Sequence, residues 1–285
     1  MKTTLLTVIA LLAFAGNSVL CRMALGDGLI DAEGFTSVRL LAGAITLVIL
    51  LLIGSNQARK ISSLKPTRRQ WVGSSMLFVY AFCFSLAYLI LDTGSGALIL
   101  FGFVQLTLLI GGWFFNQKPS VKELSGVLLA FFGLVYWLVP VWGTPSLGGF
   151  ILMAVSGFAW GVYTLNGRTA KTPLRETTLN FIYCLPLVFL LNLWVFEPTN
   201  WTVQGLVLAV ISGAVTSGIG YSVWYAVLPK MKATSAGVIQ LMVPVIAAFG
   251  GWFFVQEAVS QRLLISSVMV LGGVFWVLYS NQTKG

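Results

Sequence analysis

The stretch IGGWFFNQKPS (110–120) has a near-twin in FGGWFFVQEAVS (249–260). Gly-Gly-Trp-Phe-Phe occupies 111–115 in one copy and 250–254 in the other, and a glutamine follows two positions on, Gln117 and Gln256. Set against 235–276 without gaps, 96–137 carries twelve identities in 42 positions. Apolar sequences match by chance at about one position in ten, so the chain contains an internal repeat. Earlier segments align as well: FAGNSVLCR (14–22) with WGVYTLNGR (160–168), and FSLAYLIL (84–91) with YSVWYAVL (221–228). One position breaks the likeness by changing sign, Lys118 standing where the second copy has Glu257.

The chain of 285 residues is 58% hydrophobic and 9% charged, with a mean hydropathy of +0.91. A soluble domain carries roughly a quarter charged residues, so a water-soluble fold is excluded. About twenty apolar residues cross a bilayer as a helix. Ten such runs are present: 3–23, 35–54, 71–91, 95–115, 121–139, 148–166, 177–196, 204–227, 234–254 and 259–280. The expected fold is an all-α integral membrane protein of ten transmembrane helices. Met1-Lys2, an apolar run and Ala13-Phe14-Ala15 resemble a cleavable signal peptide. The aligned partner at 160–168 marks this segment instead as a permanent span.

With a cytoplasmic N-terminus, fourteen of the 17 Lys and Arg residues fall on the inner side, and only Arg22, Arg39 and Arg262 fall outside. Six of the eight acids fall outside, Glu257 among them. Lys/Arg asymmetry in short loops sets orientation, which puts both termini of this multi-pass protein in the cytoplasm. Most tryptophans lie near span ends as an interfacial belt, Trp160 and Trp224 being well inside. The repeat divides the chain into five-span units, 1–143 and 144–285. Five is odd, so the second unit enters the membrane from the opposite side. Lys118 then faces the cytoplasm and Glu257 faces out, which accounts for the change of sign. Inverted repeats of this kind build secondary transporters with a substrate site near the midplane.

The second half, with Tyr-x-x-Trp-Tyr (221–225), Lys-Met-Lys-Ala-Thr (230–234), the mid-helix Pro244, Glu257 at the end of span nine and Gly272-Gly273, resembles the EamA-type repeat of the drug/metabolite transporter superfamily. Arg39 at the head of span two matches the family's arginine there. The resemblance covers essentially the whole chain. It implies an exporter of amino acids or other small metabolites, with relatives that carry sugar nucleotides or sugar phosphates in organelles. The first repeat departs from the pattern, with Gln105 opposite Pro244 and Lys118 in place of a glutamate, so only span nine is expected to bend strongly.

Histidine is absent, and the three cysteines share no metal-binding or redox spacing. Paired acids and nucleophile–base sets are missing too, so no enzyme, cofactor, metal or nucleic-acid partner is expected. The expected partners are a small-molecule substrate and the lipid bilayer, with the protein a monomer or homodimer. No acid lies deep in a span, which disfavours a cationic-drug antiporter.

The mid-span polar and aromatic residues are candidates for a substrate site: Phe14 and Asn17, Tyr80 and Phe84, Phe101 and Gln105, Trp160 and Tyr163, Ser217, Tyr221 and Tyr225, and Gln240. Tyr80/Phe84 and Ser217/Tyr221/Tyr225 recur at i, i+4 and so share one helix face. Together they can hydrogen-bond a zwitterion and stack on its apolar part. The alternative is that they only pack helices together. Pro244 and the nearby Gly250 and Gly251 are candidates for conformational roles. Arg39 reads as an interfacial anchor rather than a ligand, and Glu257 as a partner of Arg262 or a cap on a moving helix end. The function expected is alternating-access export of neutral or zwitterionic metabolites, amino acids first. The alternatives are another substrate class or a non-transporting membrane scaffold.

Overall fold

The computed structural model describes residues 2–54, 66–114, 120–138, 147–195, 201–258 and 260–282. Gln117 and Lys118 of the first repeated stretch lie outside them. The described residues form ten helical segments and no strand: α1 (Lys2–Gly26), α2 (Ala32–Gly54), α3 (Arg68–Tyr88), α4 (Thr93–Phe114), α5 (Val121–Leu138), α6 (Leu147–Gly167), α7 (Pro173–Val195), α8 (Val203–Lys230), α9 (Ala233–Val255) and α10 (Gln261–Gln282). Eight are long and apolar enough to cross a membrane, α5 is 18 residues long, and the apolar part of α10 spans Leu264–Val277. Large apolar side chains such as Leu5, Ile53, Phe253, Val268 and Phe275 are exposed. Such a surface belongs against hydrocarbon rather than water. Trp71, Trp201, Trp252 and Trp276 are part-exposed near helix ends, as an interfacial belt requires, whereas Trp160 and Trp224 are buried.

Local chemistry sets several boundaries. Thr67 and Gln70 form a reciprocal capping box at the start of α3. The Thr202 hydroxyl accepts from the Gly205 amide at the start of α8. Gly28, at φ +64°, makes the left-handed turn after α1.

Helix pairing exchanges the two halves. α3 packs on α6 as α8 packs on α1; α4 packs on α6 as α9 packs on α1; α3 packs on α7 as α8 packs on α2. The remaining principal contacts, α2 with α7, α4 with α9 and α5 with α10, join each helix to its own counterpart. The doubled Gly-Gly has a place in this scheme. A Cβ added at Gly111 would strike Leu165 of α6, and one added at Gly250 would strike Val19 of α1. Val19 and Leu165 occupy matching positions in the aligned segments 14–22 and 160–168. Each half thus supplies small residues that admit the first helix of the other.

Candidate functional site

Two irregular helices position the centre. α8 is α-helical over Val203–Ile211, π-helical over Ser212–Ile219 and α-helical again over Gly220–Val227. π-Helical turns widen a helix and rotate the side chains that follow, here Tyr221, Trp224 and Tyr225. α9 breaks between Gln240 and Met242 at Leu241. Pro244 accounts for the break, because it lacks the N–H that would bond the Gln240 carbonyl and its ring crowds that same carbonyl. α4 runs unbroken past Gln105, as the missing proline predicts.

Trp160 lies at the middle of a packed aromatic cluster. Its ring centroid is 5.2 Å from Phe14, 4.8 Å from Tyr80, 4.6 Å from Tyr221 and 5.3 Å from Tyr163. Tyr163 continues to Tyr225 at 4.9 Å, and Tyr80 to Phe84 at 5.4 Å. Phe101 joins at the edge, 6.5 Å from Phe14. Each such pair is worth about 0.5–1.5 kcal/mol beyond simple burial.

Hydrogen bonds fix the orientation of these rings. The Trp160 indole N–H donates to Gln240 Oε1 at 2.7 Å. Asn17 Nδ2 donates to the Tyr80 hydroxyl at 3.0 Å, and that hydroxyl pairs with the Tyr221 hydroxyl at 2.9 Å. Asn17 Oδ1 in turn accepts from Ser212 Oγ at 2.7 Å, which ties α1 to the π-helical stretch. The Tyr225 hydroxyl donates to the Tyr163 carbonyl at 3.0 Å.

Ten of the twelve candidate residues therefore meet in one network: Phe14, Asn17, Tyr80, Phe84, Phe101, Trp160, Tyr163, Tyr221, Tyr225 and Gln240. The other two, Gln105 and Ser217, are buried with no hydrogen-bond partner for their side chains among the described residues. Gln105 lies against Gly237 of α9, where an added Cβ would collide with its amide. Sequence reasoning missed Phe181 of α7, 6.1 Å from Tyr221, and also Trp224 of α8, 5.5 Å from Phe14. Trp224 carried a signal, being the second tryptophan well inside a span.

Arg39 corrects the sequence-based expectation more sharply. It is not an interfacial anchor. It lies two turns into α2, is wholly buried, and has no hydrogen-bond partner for Nε, Nη1 or Nη2 among the described residues. Its guanidinium carbon sits 5.3 Å from the centroid of Tyr80 and 5.1 Å from that of Phe84. Desolvating such a charge costs several kcal/mol, and two ring faces return about 0.5–2 kcal/mol each. The close seat of α2 is visible at Gly213, where a Cβ would strike the Arg39 carbonyl.

The two ends of the cluster differ. At one end Glu257 accepts from the Thr93 amide and hydroxyl, both at 2.9 Å, and lies 3.6 Å from Arg22. This carboxylate caps the N-terminus of α4 with a fully complementary charge. Its partner is Arg22, not Arg262. Gly251 makes room, since a Cβ there would collide with the Glu257 carboxylate and with Thr93. At the other end Lys232 stands 3.9 Å from Glu123, and Arg168 donates to the Met231 carbonyl. A cleft of about 620 Å³ opens on this side among Thr7, Leu11, Lys230, Ile239 and Met242. Leu11 and Ile239 lie one turn and one residue short of Phe14 and Gln240. An apolar groove of about 420 Å³ lies between α1 and α9, lined by Gly16, Val19 and Gly250 among others.

Comparison with known proteins gives a consistent set of likenesses. The model of the EamA-like transporter family matches residues 147–279. An uncharacterized protein of Pseudomonas aeruginosa is 45% identical over 97% of this chain and 94% of its own length. A probable amino-acid metabolite efflux pump of Salmonella typhimurium is 21% identical over 72% of this chain and 74% of that protein. A solved crystal structure, 21% identical, superposes with a TM-score of 0.77 and covers 100% of this chain and 99% of that one.

Proposed function

Because this chain belongs to the EamA-like transporter family of the drug/metabolite transporter superfamily, we propose that it exports small zwitterionic metabolites, amino acids first, across a bacterial inner membrane by alternating access. The observation that carries this reading is the cluster around Trp160. Side chains from α1, α3, α6, α8 and α9 meet there, so both halves of the chain contribute to one site. A site shared by two exchangeable halves opens to one side or the other as the halves trade conformations.

In the proposed orientation both termini are cytoplasmic, and residues 1–143 and 144–285 are inverted units. The Glu257 end then faces outward and is closed by Arg22, Thr93 and Glu257. The cleft beside Lys230 faces the cytoplasm and leads toward Phe14 and Gln240, as an inward vestibule should. The relative named as an amino-acid metabolite efflux pump supports the substrate class. The test is uptake of each radiolabelled amino acid by proteoliposomes holding the purified protein. Time-dependent uptake of a subset supports the reading, and flux of a phosphorylated sugar with none of any amino acid rejects the substrate.

A further inference from the structure

We propose that Arg39 is the counter-ion of the substrate, so that a solute occupies the aromatic cluster only when it carries a carboxylate. This deepens the transport reading above and rests on it for the location of the site.

Buried charges in proteins are paired, and an intramembrane charge without a partner is a functional site by default. Arg39 has no such partner. Among the described residues, Asp92 and Glu257 pair with Arg22, and Glu123 with Lys232. Asp31 accepts from the Trp201 indole N–H at 2.6 Å. Among the described residues no carboxylate pairs with Arg39, and its three nitrogens make no well-formed hydrogen bond. The side chain is nonetheless held in place: its guanidinium rests over the faces of Tyr80 and Phe84, and Tyr80 is itself fixed by Asn17 and Tyr221.

The chemistry around it favours one ligand type. A guanidinium presents a planar fork of donors that matches a carboxylate in two parallel bonds. Further unpartnered donors sit on the same helices as the cluster, namely Trp224 Nε1 and the Gln105 amide. Among the described residues the acids Glu176 and Glu257 sit at helix ends, so a cationic group on the solute would gain chiefly ring faces and amide oxygens. A single arginine neutralises one negative charge, which suits a monoanionic carboxylate and leaves a phosphate dianion half compensated. The rings supply the complement for an apolar or aromatic side chain.

Binding to the purified wild-type protein in detergent tests this without a flux assay. Thermal unfolding is followed with 3-phenylpropionate, its amide, 2-phenylethylamine, phenylalanine and leucine. The carboxylates should raise the midpoint, while the amide and the amine should leave it unmoved. Arg39→Gln should weaken carboxylate binding about tenfold or more through loss of a charge-assisted pair. Arg39→Lys keeps the charge without the fork and should fall between the two. The wild-type ligand series stands alone if a variant fails to fold. Equal shifts from the amide or amine, an undiminished shift in Arg39→Gln, or silence from every carboxylate would overturn the proposal. Such an outcome alongside proteoliposome flux of another solute leaves transport standing. A carboxylate-dependent shift with no flux of any carboxylate overturns the transport reading and leaves Arg39 as the binding residue.

Discussion

Trp160 touches four rings and donates to Gln240, so its removal should be felt in both packing and transport. Trp160→Ala is expected to destabilise the protein by about 3–5 kcal/mol, the usual cost of deleting a large buried ring. Trp160→Phe keeps a ring but loses the bond to Gln240, and flux should fall with a smaller loss of thermal stability. Tyr221→Phe removes one hydroxyl from the Tyr80 pair at a cost of about 1 kcal/mol. Substrate KM should rise more than the melting point falls, which separates a binding role from a packing one. Much of this cluster could be found from the sequence, because asparagines, glutamines and tyrosines stand out against an apolar background. Arg39 could not, for a specific reason. The apolar run starts at Phe35, which places Arg39 near its edge, whereas the helix starts at Ala32 and turns that side chain inward against rings from α3. Ser212 was missed because a small hydroxyl in a span gives no sign that it bonds Asn17 on another helix.

Irregular elements carry the site. The bend of α9 was foreseeable from Pro244, and its position one turn earlier, at Leu241, follows from the carbonyl that proline leaves unbonded. Pro244→Ala restores a donor at that position. It should straighten α9, draw Gln240 away from Trp160 and slow transport while leaving the melting point equal or higher; faster flux in this variant would contradict the assignment of the bend. The π-helical stretch of α8 had no sequence signature, since Ser-Gly-Ala-Val-Thr-Ser-Gly-Ile reads as ordinary helix. Its existence depends on neighbours, with Gly213 pressed on α2 and Ser212 bonded to α1. Gly213→Leu would push a side chain into the Arg39 backbone, and a loss of folded protein on size-exclusion chromatography is the expected result.

Across the whole molecule, the number of helices and their order follow from apolar run lengths, and the helices extend a few residues beyond those runs into interfacial residues such as Lys2 and Arg68. Hydropathy marks where hydrocarbon ends, while backbone hydrogen bonding continues until a cap or a glycine stops it. The inverted arrangement yields a labelling prediction. Single cysteines at the repeat-related positions 122 and 261, exposed at the starts of α5 and α10, should react in a cysteine-free background with an impermeant maleimide from opposite faces of the membrane. Reaction of both from one face would be incompatible with two upside-down halves.

The burial of Arg39 has an electrical consequence. Among the described residues every acid sits in a loop or in the first turn of a helix, away from the middle of the spans. A zwitterion moves no net charge, so the membrane potential does no work on it. A monocarboxylate moves one negative charge, and a cytoplasm held 100 mV negative expels it with about 2.3 kcal/mol. In liposomes clamped by a potassium ionophore, voltage should therefore drive the accumulation of simple carboxylates and leave that of amino acids unchanged.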